Sequence, residues 1–288
     1  MDNKIKLRDG RALTYAEYGD PRGKPVFLFH GMPGSRVFRP HDEITTKLGV
    51  RLITVDRPGY GLSTFQSNRQ ILDWPNDIAQ LADQLGIDKF AVAGHSGGGP
   101  YAAACAFALT DRVTAAALIC GAGPVDSSGA LEHMDGLNRM GFRVGRHIPW
   151  LVWWLLIWAF YRDGNQRPEK IMEREAATRP RADAELWKID SIREVCYASV
   201  VEAFRNGTKG HAWEARLMTR PWNLPVEKIQ APVHIWHGTS DRTTPIQMAR
   251  YLAGRIPNCH THFCEGEAHL LIFPHWQEIL LELTQEHG

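Results

Sequence analysis

Short apolar runs recur at regular intervals along the first part of the chain, at residues 25–29 (PVFLF), 51–55 (RLITV), 90–93 (FAVA) and 115–119 (AAALI). Runs this short, without polar alternation and ending in glycine, proline or polar clusters, predict strands buried on both faces of a parallel sheet. Between them the spacing turns helical, over residues 41–48, over 73–85 with Ile78, Leu81, Ala82 and Leu85 on one face, and over the alanine-rich stretch from Gly97 to Leu109. Residues 4–7 and 12–18 flank Arg8-Asp9-Gly10-Arg11 and predict a hairpin. Such alternation predicts right-handed crossovers and a binding crevice at the C-terminal ends of the strands. His30, Asp56 and Ser96 all lie at those ends.

The pattern changes over residues 124–221. Helical periodicity dominates there, interrupted by Gly141, Gly145, Gly164, Pro168, Pro180 and Gly207. The expected organisation is therefore a core of residues 1–123 and 222–288, with 124–221 forming a helical cap over the crevice. Trp153, Trp154 and Trp158 are the candidates for a substrate-facing apolar wall. They belong to the longest apolar run, residues 148–161 (IPWLVWWLLIWAFY), which is shorter than the roughly 20 residues needed to cross a bilayer. A buried or cleft-facing helix is expected, and a helix lying in a membrane interface is the alternative. The sheet resumes at 232–236, followed by a helix at 245–256, a short strand at 261–263 and an amphipathic closing helix at 274–286.

Composition narrows the partners. With 33 Lys and Arg against 32 Asp and Glu, the net charge of +1 gives no reason to expect nucleic acid or acidic lipid. A small-molecule substrate is expected, and an aromatic segment shared in a homodimer stays open. The polar N-terminus has no apolar signal core, and five cysteines form no disulfide framework, so a cytoplasmic location is expected.

Candidate chemistry centres on Gly94-His95-Ser96-Gly97-Gly98, a G-x-S-x-G pattern between a strand and a helix. A side chain at Gly94 or Gly98 would collide with the adjoining helix or strand, and the helix N-terminus beyond Ser96 suits a developing oxyanion. A dinucleotide-binding turn fits poorly, because no acidic residue closes the next strand, and no lysine follows to make a P-loop. Serine needs a base, and a histidine base works best beside a carboxylate. His269 and Asp241, each in a loop after one of the last two strands, can fill those roles, with Asp126 as the alternative acid. His30 and His95 flank the crevice, and Asp56 with Arg57 most simply ties down a glycine-rich loop. Cys259, His260, His262, Cys264 and His269 contain no C-x-x-C pair, and strand alternation separates Cys259 from the rest, so no metal site and no cofactor are expected.

Five motifs together, HGMPGS at 30–35, DRPGYGLS at 56–63, GHSGGGP at 94–100, HGTSDRTTP at 237–245 and GEAH at 266–269, closely resemble those of the α/β-hydrolase superfamily. The resemblance runs over essentially the whole chain and is strongest to the serine-nucleophile branch of esterases and prolyl iminopeptidases with a helical cap. It implies Ser96 as nucleophile, Asp241 as acid, His269 as base and the backbone amides of Met32 and Gly97 as the oxyanion hole, with His95 beside the substrate. The implied activity is cofactor-free hydrolysis of an ester or related acyl bond in a small hydrophobic substrate. The alternatives are a small-molecule receptor on the same fold and an aminopeptidase whose cap acids, such as Glu214, bind a substrate amine.

Overall fold

The computed structural model describes residues 3–125, 131–134, 136–147 and 179–285. Among them, eight strands form one sheet in the order β1-β2-β4-β3-β5-β6-β7-β8. The strands are β1 (Asn3–Lys6), β2 (Ala12–Gly19), β3 (Lys24–Phe29), β4 (Val50–Val55), β5 (Phe90–His95), β6 (Val113–Ile119), β7 (Val233–Gly238) and β8 (Cys259–Cys264). The β1–β2 and β2–β4 pairings are antiparallel, and every pairing from β4 to β8 is parallel. This is the α/β-hydrolase architecture that the sequence resemblance implies.

The parallel strands are apolar throughout because helices cover both faces. One face packs Phe27, Phe29, Ile53, Val92 and Leu118 against α2 (Trp74–Gln84), α3 (Gly99–Ala108) and α8 (Ile246–Ala253). The other packs Val26, Leu28, Leu52, Ala93 and Ala117 with Trp276, Ile279, Leu280 and Leu283 of α9 (Trp276–Thr284). The helix α1 (Asp42–Lys47) borders this second face, where Thr45 accepts the Trp276 indole hydrogen bond at 2.9 Å.

Strand ends differ from the sequence reading where polar residues continue a ladder. β7 runs on through His237 and Gly238 because their backbones pair with Phe263 and Cys264 of β8. The chain beyond β5 makes a 3-10 turn over Ser96–Gly98 before α3 begins at Gly99 with Pro100 in its first turn, so it is not one continuous helix from Gly97.

The connection from β6 to β7 contributes α4 (Gly136–His147), α5 (Arg181–Leu186), α6 (Asp190–Ala203) and α7 (Lys209–Met218). Of these, α6 and α7 rest on the loops that follow β3 and β4. Ser199 Oγ accepts from the Ser35 amide at 2.9 Å, the Ala203 carbonyl accepts from the Gly61 amide at 3.2 Å, and Gly210 meets Gly59 so closely that a Cβ on either would overlap the other's backbone. Residues 148–161, with Trp153, Trp154 and Trp158, and Asp126 lie outside the described residues. Among the described residues no helix is long and apolar enough to cross a membrane.

Candidate active site

Ser96 follows the central strand β5 and takes a φ of +54°, a left-handed conformation that costs a non-glycine residue about 1–3 kcal/mol. Close packing holds it there. A Cβ on Gly94 would overlap the Gly98 carbonyl, and a Cβ on Gly98 would overlap the Phe29 carbonyl at the end of β3. The Ser96 carbonyl also accepts the Ala122 amide at 3.0 Å, fixing the turn to the end of β6. Gly31, in the loop after β3, approaches from the other side, its Cβ position lying 3.7 Å from Ser96 Oγ. In the same loop the Met32 amide nitrogen lies 3.4 Å from the Cβ position of Gly97. Met32 and Gly97 are therefore neighbours beside the serine.

The loops after β7 and β8 bring Asp241 and His269 together. Asp241 Oδ2 lies 2.7 Å from His269 Nδ1, with the carboxylate fully buried and the imidazole 13% exposed. Thr244 completes the arrangement. Its backbone amide donates to Asp241 Oδ1 at 3.0 Å, and its hydroxyl lies 2.9 Å from Asp241 Oδ2, 2.9 Å from the Cys120 carbonyl and 3.3 Å from His269 Nδ1. Burial alone would raise the Asp241 carboxyl, but the His269 charge and hydrogen bond, with His237 and the Thr244 amide, hold it well below the usual range. Burial conversely opposes a charged His269, and the Asp241 carboxylate and its hydrogen bond outweigh this to raise the imidazole above its ordinary value. The pair is an ionised acid orienting a more basic histidine.

Two further carboxylates tie the β6–β7 connection to these loops. Asp183, on α5 and 2% exposed, accepts the His269 amide at 3.1 Å and the Leu270 amide at 2.8 Å. Its charge also favours the protonated form of His269. Glu214, on α7 and fully buried, accepts two hydrogen bonds from Arg57, at 2.6 Å from Nε and 2.9 Å from Nη2. Arg57 reaches onward to the His30 and Gly31 carbonyls in the loop beside Ser96. Burial would raise Glu214, but Arg57 and Arg69 hold it down at about 2. Asp56 likewise binds the Arg36 amide at 2.7 Å and Arg36 Nη1 at 2.6 Å, which makes Asp56 and Arg57 a loop brace.

Known proteins agree with this architecture. A family model described as the α/β-hydrolase fold matches residues 24–143. An esterase from Exiguobacterium antarcticum superposes with a TM-score of 0.73 at 19% identity, covering 99% of this chain and 100% of that one. The chain has the α/β-hydrolase fold. Among its curated relatives, the non-heme chloroperoxidase of Streptomyces lividans is 25% identical over 287 residues, 94% of either chain. A proline iminopeptidase of Xanthomonas citri is 33% identical over 113 residues, and that match spans only 35% of its length and 37% of this chain.

Of the residues the sequence singles out, the structure joins Asp241 to His269 and Met32 to Gly97, with Ser96 beside the second pair. His95 ends β5 directly before Ser96. It is 5% exposed, its Nε2 is 3.0 Å from the His269 carbonyl, and its ring stacks on Phe38 at 5.2 Å. Burial, then the nearby His269 charge, lower its pKa to about 3. A neutral, internally bonded imidazole there braces the His269 loop. Glu214 is likewise committed to Arg57 and leaves no free carboxylate for an amine.

Thr244 and Asp183 escaped the sequence reading. Thr244 carries a local signal, three residues after Asp241 in a turn where an aspartate bonds to following amides. Asp183 carries none, because its contact depends on how α5 lies over the β8 loop. Cys120, Asp241 and His269 are close enough to share a metal ion. Burial keeps the Cys120 thiol well above its usual range, and it donates to the Ala268 carbonyl at 3.4 Å, a poor start for a thiolate ligand. A cavity of about 490 Å³ borders the outer side of the Asp241 loop, lined by Arg181, Thr239, Ser240, Arg242 and Gln247; Ser96 is not part of its wall.

Proposed function

We propose that the protein is a serine hydrolase that cleaves an ester or related acyl bond of a small hydrophobic substrate through an acyl-enzyme on Ser96. The observation that carries this reading is the 2.7 Å contact between Asp241 and His269 Nδ1, in the loops of β7 and β8, within a fold that presents Ser96 at the end of β5. Asp241 holds the proton on Nδ1, so the Nε2 lone pair is left to accept the Ser96 proton. Ser96 Oγ then attacks the carbonyl carbon, and the oxyanion takes hydrogen bonds from the amides of Met32 and Gly97. Each such donor stabilises the transition state by about 3 kcal/mol. Collapse breaks the acyl–oxygen bond, and His269 returns its proton to the departing alcohol. Water, deprotonated by His269, then attacks the acyl-serine to release the acid and regenerate Ser96. In this reading α5, α6 and α7 of the β6–β7 connection belong to a cap that shields the site from water.

Three of the described acids of the inserted segment are held in ion pairs, which supports the ester reading over an amine-recognising peptidase. Glu214 pairs with Arg57, Glu202 with Arg36 at 2.9 Å and Glu185 with Lys188 at 2.8 Å. Steady-state hydrolysis of p-nitrophenyl esters of increasing acyl length tests the reading, with Ser96→Ala as comparison. Many turnovers per protein that vanish in the variant are expected. A folded protein that a serine-reactive phosphonate labels at Ser96 but that turns over no ester would overturn it in favour of a receptor.

A further inference from the structure

The second histidine cluster of the molecule lies on the face of the sheet covered by α9, away from Ser96. β7 and β8 pair with His234 opposite His260 and Trp236 opposite His262. Residues two apart on a strand share a face, so these four rings line one side of the sheet edge. Glu282, on α9, reaches down between them. Its Oε2 lies 3.0 Å from His234 Nδ1 and its Oε1 lies 3.0 Å from His262 Nε2.

We propose that His234, His262 and Glu282 form a binding site for a divalent transition metal, with zinc as the ion the donor set fits. Zinc takes imidazole nitrogen and carboxylate oxygen at about 2.0–2.2 Å, which places ligand atoms about 3–3.5 Å apart around a tetrahedral ion. The three ligand atoms here lie within 4.8 Å of one another. His262 Nε2 supplies an independent indication. It is buried and 3.0 Å from a carboxylate oxygen, yet the angle makes no hydrogen bond, so the nitrogen is aimed beside that oxygen. A cation between ring and carboxylate satisfies both.

The surroundings hold the donors in place, as the outer shells of metal sites do. Trp236 Nε1 donates to Glu282 Oε2 at 3.0 Å, and the Trp236 ring stacks on His262 at 4.1 Å and 9°. His260 stacks on His234 at 5.1 Å. His234 is buried, whereas the His262 and Glu282 side chains are 28% and 21% exposed, which opens one side for a water as fourth ligand. Such an ion would pin the edge strand β8 to β7 and α9, the two strands whose following loops carry Asp241 and His269. The assignment does not depend on the hydrolase reading.

The test titrates the full chain, freed of metal by chelation, with Zn²⁺ in a calorimeter and with Co²⁺ by visible absorption. One equivalent should bind, Co²⁺ should show the intense absorption of a tetrahedral site, and Zn²⁺ should raise the melting temperature. His262→Ala and Glu282→Gln should each weaken binding at least tenfold while the metal-free circular dichroism and melting temperature stay unchanged. If His262→Ala disturbs the metal-free fold, His262→Gln replaces it. Cys264, Glu267 and His275 form a neighbouring cluster, and Cys264→Ser should leave binding intact. The proposal is overturned by absence of stoichiometric binding, by binding that survives both ligand substitutions, or by binding lost in Cys264→Ser.

Discussion

The two halves of the candidate site are held by different forces. Around Ser96 the backbone is fixed by steric contact: Gly94 against the Gly98 carbonyl, Gly98 against the Phe29 carbonyl, Gly97 against Met32. Around His269 the loops are fixed by hydrogen bonds and charge, from Asp241, Thr244 and Asp183. Steric fixation leaves little room for intermediate states, so substitutions on the serine side should act in an all-or-none manner. Polar fixation is graded and titratable, so substitutions on the histidine side should tune rate and pH dependence. The inserted segment reaches this side through Asp183, as it reaches the serine side through Glu214 and Arg57.

The largest effect expected is from Ser96→Ala, a loss in kcat of about 10⁴-fold or more with the fold intact, read from ester hydrolysis and circular dichroism. Gly98→Ala should cost as much activity for the opposite reason, since the added methyl has only backbone to meet and must displace the turn; an active, stable variant would break the steric half of the comparison.

On the polar side, Asp241→Asn should lower kcat by about 10⁴-fold near neutral pH, because the amide favours the wrong tautomer of His269. Glu214→Gln, which acts through Arg57 on the loop beside Ser96, should destabilise the fold by about 3–5 kcal/mol, as it leaves Arg57 buried and uncompensated. Glu214 has its carboxyl held down at about 2 from 4.5, so its ion pair contributes fully above pH 4.5 and is lost as pH falls through about 2. Chemical denaturation at pH 7 and pH 3 should therefore show a smaller difference between wild type and Glu214→Gln at the lower pH.

Asp183→Asn should be the mildest, with kcat reduced roughly threefold to tenfold, the scale of one ordinary hydrogen bond, since the amide oxygen still accepts. His269 must be neutral to act as base, so activity rises with pH through its pKa, which Asp241 and Asp183 raise. Removing the Asp183 charge should move that acidic limb to lower pH. A variant with an unmoved limb would reduce Asp183 to a structural anchor.

The parts of this architecture legible in the sequence are those with local causes. Apolar runs mark β3 to β7 because burial on both faces demands them, and the glycines around Ser96 mark the turn because each has backbone where a side chain would be. Chain order and strand-end position point to Asp241 and His269. What stayed illegible depends on contacts between distant elements. Asp183 reads as an ordinary helix acid, and Glu214 as a solvated one, until α5 and α7 are laid on the loops of β8 and β4. The contacts of His95 with Phe38 and the His269 carbonyl are likewise not visible in the sequence. The CHTHFC stretch at 259–264 fails as a local metal motif, and its His262 finds partners only through β7 and α9.

The most direct test of the central claim is intact-protein mass spectrometry after reaction with a serine-reactive phosphonate, with the adduct mapped by peptide sequencing and its rate followed against pH. The account predicts a single adduct on Ser96, formed at a rate that rises with pH through the raised pKa of His269 and falls steeply in Asp241→Asn. An adduct on another residue, no adduct in the folded protein, or a rate indifferent to Asp241 would contradict it.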